Sequence, residues 1–150
     1  MYDETALLNE LASVVKTHAN YDDDNVTVGS QRVLDKGVAT AVVVEAGTTD
    51  SPEENPYRFQ GGVVTIYNVT VYVYRKFVQD SESRASLRTD VQNVRETIDG
   101  YHELNGKAQS CRVISASAPL YIGVQNSPPS FIVRILTVSI EKVEEMTLLE

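Results

Sequence analysis

The sequence predicts an α+β fold, with a mostly antiparallel sheet of about four strands, two main helices packed on one face, and an extended β-hairpin arm. Three patterns favour it: period-two alternation over residues 62–78, a helical apolar stripe over residues 87–98, and short connections between most neighbouring strands. Two helices can cover only one face of a sheet. We therefore expect some of Ile66, Tyr72 and Tyr74 to stay exposed on the other face unless another chain covers them.

The length and composition indicate one globular domain. The chain has 150 residues, 42% of them hydrophobic and 23% charged, which suits a single core. We expect one domain, 1–150, with an arm or loop at about 47–61. No apolar run approaches the ~20 residues needed to span a bilayer, and the start of the chain is acidic where a signal peptide is basic. These features predict a cytosolic protein without membrane contact.

The net charge limits the choice of partners. A formal net charge of −8 argues against a protein that grips nucleic acid, because phosphate binding needs clustered lysine and arginine. An acidic surface can still face DNA that must slide past without sticking.

The first element is predicted to be a helix from about Thr5 to His18, because leucines and valines recur at helical spacing. The run Asp22-Asp23-Asp24 then ends the pattern. Three carboxylates suggest a metal loop, but the spacing and central glycine of a calcium-binding EF-hand are missing. We expect a solvated turn.

The next two strands form a hairpin in this prediction. Residues 38–45 are a continuous apolar run, which is typical of a strand buried on both faces. Residues 47–58 contain two prolines and no periodicity, so they are predicted to be a long loop in the hairpin arm. The strand at 62–78 places its odd-numbered apolar residues on one face. At about 3.3 Å per residue it would exceed the size of its own core, which favours a role in assembly.

The second helix is the clearest in the chain, since Leu87, Val91, Val94 and Ile98 fall on one stripe. Asp80, Ser81 or Ser83 is expected to cap its start, and Gly100 to adopt the left-handed conformation after its end. Two closing strands are predicted at about 108–118 and 131–143. The connection 119–130 contains Pro128-Pro129, which predicts a loop without regular structure.

Motifs for chemistry are lacking, so we expect no catalytic, cofactor-binding or metal-binding residues. The chain has no phosphate loop, paired cysteines, zinc helix or serine elbow. Its single cysteine, Cys111, is predicted to be a buried small hydrophobe.

The order and texture of these segments resemble the small tail terminator proteins of long-tailed bacteriophages. The resemblance covers about residues 5–145 and includes the acidic turn 21–24, the arm 47–58, the long strand 62–78 and the helix with Leu87. It implies a virion protein, assembled in the host cytoplasm, that forms a ring of typically six copies. Such a ring caps the tail tube, ends tail polymerisation and docks to the head connector, while DNA only passes through an often acidic lumen.

A closed ring needs two different patches on each subunit. On one side we expect Tyr67, Tyr72 and Tyr74 with the arm residues Pro52, Tyr57 and Phe59. On the other side we expect Arg134 or the face of Arg84 and Arg88. The candidates for an acidic lumen or surface are Asp22, Asp23, Asp24, Glu53 and Glu54.

Three alternatives stay open. The chain could be another neck or head-completion ring protein, since these proteins are of similar size and also form rings. It could be a non-viral adaptor that binds a peptide along a sheet edge. It could also be a small enzyme that uses a metal held by Asp22, Asp23 and Asp24.

Overall fold

The computed structural model describes residues 4–29, 39–50, 62–123, 127 and 129–145. Within these ranges the chain forms two helices and one mixed sheet of six strands. The predicted α+β class is confirmed. The elements in chain order are α1 (Glu4–Val15), β1 (Val26–Val28), β2 (Thr40–Asp50), β3 (Gly62–Lys76), α2 (Asp80–Gly100), β4 (Ser110–Ala116), β5 (Leu120–Ile122) and β6 (Phe131–Glu145).

The sheet has more strands than predicted and is not wholly antiparallel. Its strand order is β1-β2-β3-β6-β4, and β1 pairs in parallel with β2. The short strand β5 pairs with β6 on the same edge as β4, because β3 already occupies the other side of β6 over its full length. Both β1 and β5 have three residues. Such short strands are too brief to leave a period-two pattern, which is why the sequence predicted about four strands and no structure in 119–130.

The centre of the sheet is the antiparallel pair β3 and β6. The pairing is unbroken from Gly62 opposite Glu145 to Lys76 opposite Phe131. Alternate residues of β3 from Tyr67 to Val73 pack with both helices in one core. The predicted apolar face of the long strand therefore lies under the helices, as alternation requires.

Strand β2 continues further than predicted, into the expected arm. Strand β2 runs to Asp50, and the register slips between Ala46 and Thr49. Gly47 lies in this bulge, at a position where a Cβ atom would overlap the carbonyl oxygen of Asn68. The Asn68 side-chain amide then donates to Thr48 and Asp50, both at 3.0 Å. Of the predicted arm, 47–50 are thus strand, and 51–61 lie outside the described residues.

The two helices pack on one face, as predicted. Helix α1 ends at Val15, three residues before the predicted end. Helix α2 starts at Asp80, and its N-cap Gln79 makes no side-chain capping bond. Instead, the buried Ser83 hydroxyl accepts the backbone N–H groups of Val78 at 2.9 Å and Gln79 at 3.3 Å. Neither helix is long and apolar enough to cross a membrane, within the described ranges.

The end of α2 differs from its prediction. Gly100 is the last helical residue, and the C-cap Tyr101 has a negative φ of −109°. The left-handed residues come later, at Leu104, Asn105 and Gly106. The fully buried Leu104 side chain and the 2.7 Å bond from the Asn105 amide to Glu10 of α1 support this strained turn.

A buried ion pair fixes α2 to the sheet. The Arg75 guanidinium on β3 makes two 2.7 Å bonds to Asp90 on α2. The Asp90 side chain is 2% exposed and that of Arg75 is 25% exposed. This bidentate pair orients the helix over the sheet, and with it every side chain on the outer face of α2.

Candidate interaction site

One corner of the molecule exposes large hydrophobic side chains. The three residues of β5, which are Leu120, Tyr121 and Ile122, are between 38% and 48% exposed, and Val78 is more exposed still. The Phe77 ring meets the Tyr121 ring edge-on at 6.0 Å, whereas Val78 lines a shallow cleft with Ala39 and Lys76 on the other side of β3. Among the described residues only one other large hydrophobic side chain, Ile114, is similarly exposed. Apolar patches of this kind usually mark interaction surfaces.

The backbone of β5 adds to this patch because β5 is an edge strand. One side of β5 pairs with Phe131, Ile132 and Val133 of β6. Its other side pairs with no strand of the described chain. Open N–H and C=O groups on such an edge can accept a further strand.

Beside β5 lies a cleft lined by three arginines. Its lining residues are Arg84, Leu87, Arg88, Pro119 and Arg134, and its volume is about 50 Å³. Arg84 and Arg88 stand one turn apart on α2, whereas Arg134 reaches the cleft from the helix-covered face of β6. The structure thus brings together three of the residues predicted for subunit contact. We call this cleft and the adjoining strand β5 the basic edge.

A tyrosine organises part of the basic edge. The Tyr121 hydroxyl donates to Asp80 at 2.6 Å and accepts from the Arg84 Nε at 2.7 Å. The Arg84 guanidinium carbon also lies 5.5 Å from the centre of the Tyr121 ring. The hydrogen bond that Tyr121 donates to Asp80 lowers the pKa of Asp80. The hydrogen bond that Arg84 donates to Tyr121 raises the pKa of Arg84. Arg84 is therefore held in place and charged.

The other two arginines differ in how much they are held. The Arg134 Nε donates to the backbone oxygen of Ser117 at 2.8 Å, which anchors it between β4 and β5. Arg88 is exposed and makes no ion pair or hydrogen bond with the described residues. Among the residues that the structure describes, Arg88 thus carries the only one of these three guanidinium groups without a partner.

The tyrosines predicted for the opposite contact are spread over both faces of the sheet. Tyr67 lies in the core under the helices. Tyr74 is 1% exposed and packs with Ala41, Val43 and Val133 on the second face. Burial, together with the nearby Tyr72 and Glu45, raises the pKa of Tyr74 to about 12.

Of the three side chains expected on an open second face, only two are partly accessible. Tyr72 and Ile66 are half-buried, whereas Tyr74 is covered. Tyr74 is buried because its cross-strand neighbours are apolar. The arm residues Pro52, Tyr57 and Phe59, and the acidic Glu53 and Glu54, lie outside the described residues.

The predicted acidic turn is present directly before β1, at the opposite edge of the sheet. The Asp22 carboxylate accepts the backbone N–H of Asp24 at 2.9 Å, and Asn25 accepts that of Asp22 at 2.8 Å. Asp23 is 91% exposed and pairs with Lys16 at 2.8 Å, which lowers the pKa of Asp23. The Asp24 carboxylate has no partner among the described residues. The turn is solvated, as predicted.

A polar depression of about 500 Å³ adjoins this turn. Its lining residues are Asn20, Asp22, Asp24, Asn25, Ala39, Thr40 and Arg75. The described residues contain no group of three or more His, Cys, Asp or Glu side chains suited to a metal ion. Cys111 is buried in the core, and this burial raises the pKa of its thiol to about 12, so the thiol stays protonated and inert at neutral pH.

Sequence reasoning missed β5 and its Tyr121. The run Leu120-Tyr121-Ile122 consists of residues that favour strands, but it lies between Pro119 and Pro128, and the prolines determined the prediction. The indication of β5 in the sequence was a short apolar run inside a proline-rich connection.

Comparison with known proteins gives no family for this chain. No family model matches the sequence, and a search of curated proteins finds no match.

Proposed function

We propose that the chain is a virion structural protein of a long-tailed bacteriophage, a tail terminator that closes into a ring of six copies. The ring caps the tail tube, ends its polymerisation and docks to the head connector, so the protein acts in the neck of the virion. Its partners are further copies of itself, the tail tube protein and the connector protein. DNA passes through the ring without specific binding.

The observation that carries this proposal is the length of the central pair of strands. Strands β3 and β6 pair over 15 residues each. At about 3.3 Å per residue this pairing spans roughly 50 Å. A compact chain of this length has a radius of gyration of roughly 15 Å, which corresponds to a sphere about 38 Å across. The pairing is longer than a core of this size needs, and a strand pair that projects beyond its core suits a shared wall between subunits.

The two edges of the sheet support a ring rather than a symmetric dimer. One edge carries the exposed apolar strand β5 and three arginines, and the other carries the acidic turn. Unlike patches at opposite edges favour a heterologous contact, which closes into a ring when the rotation between subunits allows it. Capping then follows from mismatch: one ring face complements the tube end, and the other face cannot accept another tube subunit.

The proposal is tested by adding the purified chain to the tail tube protein encoded beside it while tubes polymerise. A terminator added in amounts far below the tube protein stops growth and appears as a ring at one tube end in electron micrographs. A control with heat-unfolded chain leaves the tubes growing. Unchanged tube lengths and bare tube ends with the native chain would refute the proposal.

The open edge of β5 also favours a second candidate, an adaptor that binds an extended peptide by strand addition. Such an adaptor stays monomeric without ligand, and added peptide shifts the amide resonances of Leu120, Tyr121 and Ile122. A terminator assembles without any peptide. Neck or head-completion rings related to terminators share the ring but leave free tube growth unaffected.

A further inference from the structure

A ring of identical subunits needs a donor patch and an acceptor patch on each copy. We propose that the cleft beside Arg88 receives the Asp24 carboxylate of the acidic turn from a second copy of this chain. This inference rests on the proposed ring function and names the contact that closes the ring.

The charge distribution within the described residues supports this pairing. In a chain with a net charge of −8, three guanidinium groups line one cleft. Two of them are engaged inside the subunit, and Arg88 is left without a partner among the described residues. Asp24 is the complementary case, an exposed carboxylate without a described partner. Opposite charges on unlike patches steer two copies together and fix their register.

The volume of the cleft selects a side chain over a larger ligand. Pockets for small-molecule ligands usually enclose about 300–1,000 Å³, whereas this cleft has about 50 Å³. A cleft of this size is too small for a nucleotide or a metabolite and suits a single side chain. An aspartate offered by a tight turn of another protein chain fits these limits.

The sheet places the two patches at matching heights. The acidic turn precedes β1 at one edge and adjoins Thr40 and Arg75, which are paired in the sheet register. The cleft lies at the other edge near Arg134, which pairs with Val73. Arg75 and Val73 are two residues apart on β3, a distance of about 7 Å along the strand. Neighbours placed side by side in a ring would bring turn and cleft together with little shift along the strands.

The apolar strand β5 completes the contact. Pro119 lines the cleft, and Tyr121 lies on the same face of β5, because it pairs with the core residue Ile132 and its ring contacts Arg84. Tyr121 is 42% exposed, so a second copy that covers it would exclude water from the rim of the charge pair. Dehydrated surroundings of this kind strengthen a charged contact at the centre of an interface.

A charge swap tests the contact. Arg88→Glu and Asp24→Lys are each expected to raise the assembly midpoint concentration about tenfold in sedimentation velocity at low salt, because each places like charges together. Combining both changes in one chain restores the attraction and returns the midpoint to within about threefold of wild type. Arg95→Glu, an equal charge change on α2 away from the cleft that breaks only the exposed 3.9 Å pair with Asp99, is the control and leaves assembly unchanged. Circular dichroism checks that all four variants fold.

Crosslinking gives a second measurement. Arg88→Cys mixed with Asp24→Cys is expected to form an intermolecular disulfide, whereas Arg95→Cys with Asp24→Cys is not. The buried Cys111 contributes little background. Rings that persist in both single charge variants, or a double variant no better than the singles, overturn this contact and leave the ring function standing. A wild-type chain that never assembles, alone or on tubes, overturns both.

Discussion

The buried pair of Arg75 and Asp90 gives the sharpest prediction about stability. Asp90→Asn keeps the shape of the side chain but removes its charge, so the Arg75 guanidinium loses its ionic partner. The two 2.7 Å bonds between them join β3 to α2, and α2 carries Arg84 and Arg88. Loss of the pair therefore weakens the support of the basic edge as well as the core.

The magnitude follows from the burial of each partner. Removing one member of a buried pair costs about 3–5 kcal/mol. Arg75 is 25% exposed, so water partly solvates the remaining guanidinium, and we expect about 3 kcal/mol for Asp90→Asn. In a chain of this length this corresponds to a fall in Tm of roughly 6–12 °C. Arg75→Met should lower the free energy of unfolding by more, because it leaves the more deeply buried Asp90 carboxylate without a partner.

Urea denaturation at pH 7, followed by circular dichroism, measures these values. Asp23→Asn is the matched control: the same chemical change in the exposed pair with Lys16, which leaves the midpoint unchanged. The double variant Arg75→Met/Asp90→Leu replaces the pair with apolar side chains and should recover most of the loss. A loss below about 1 kcal/mol for Asp90→Asn would refute the idea that this pair anchors α2.

Three further predictions concern the bulge, the basic edge and the core. Gly47→Ala should lower the free energy of unfolding by about 2 kcal/mol through steric overlap at the bulge, whereas Gly100→Ala, in open space, should not; urea titration distinguishes them. Tyr121→Phe should raise the pKa of Asp80 in an NMR titration, because Tyr121 supplies the largest lowering contribution; an unchanged pKa contradicts the hydrogen bond. Cys111 and the buried tyrosines have raised pKa values, so the folded state keeps protons that the unfolded state loses, and stability falls as pH rises from about 9 to 12. In Cys111→Ala the fall in urea midpoint should begin near pH 10 instead of 9, and an unaltered onset would exclude the thiol as its cause.

Local periodicity predicted the longest elements well. Helix α2 and strands β3 and β6 each repeat an apolar pattern many times, so neighbouring residues alone define them. Alternation also assigned Tyr67 to the apolar face of β3, and its burial under the helices follows from that assignment. The prediction that Tyr67 lies at a subunit interface did not take this burial into account.

Features that depend on distant parts of the chain were harder to predict. Strand β1 has three residues and is stabilised by its parallel pairing with β2, which no local pattern reveals. Arg134 lies about fifty residues from Arg84 in the sequence, and only the sheet register and the packing of α2 bring the two to one cleft. Tyr74 is buried because of its cross-strand neighbours Ala41 and Val133, which a strand considered alone does not show.

The mass of the assembled protein tests the central proposal most directly. Six chains of 16.6 kDa give a closed ring of about 100 kDa, measurable by native mass spectrometry of the free protein and of tube ends released from growing tubes. The proposal predicts that mass, with no larger open series, and a fall to smaller species in Arg88→Glu. A single species of 16.6 kDa in both samples would contradict it.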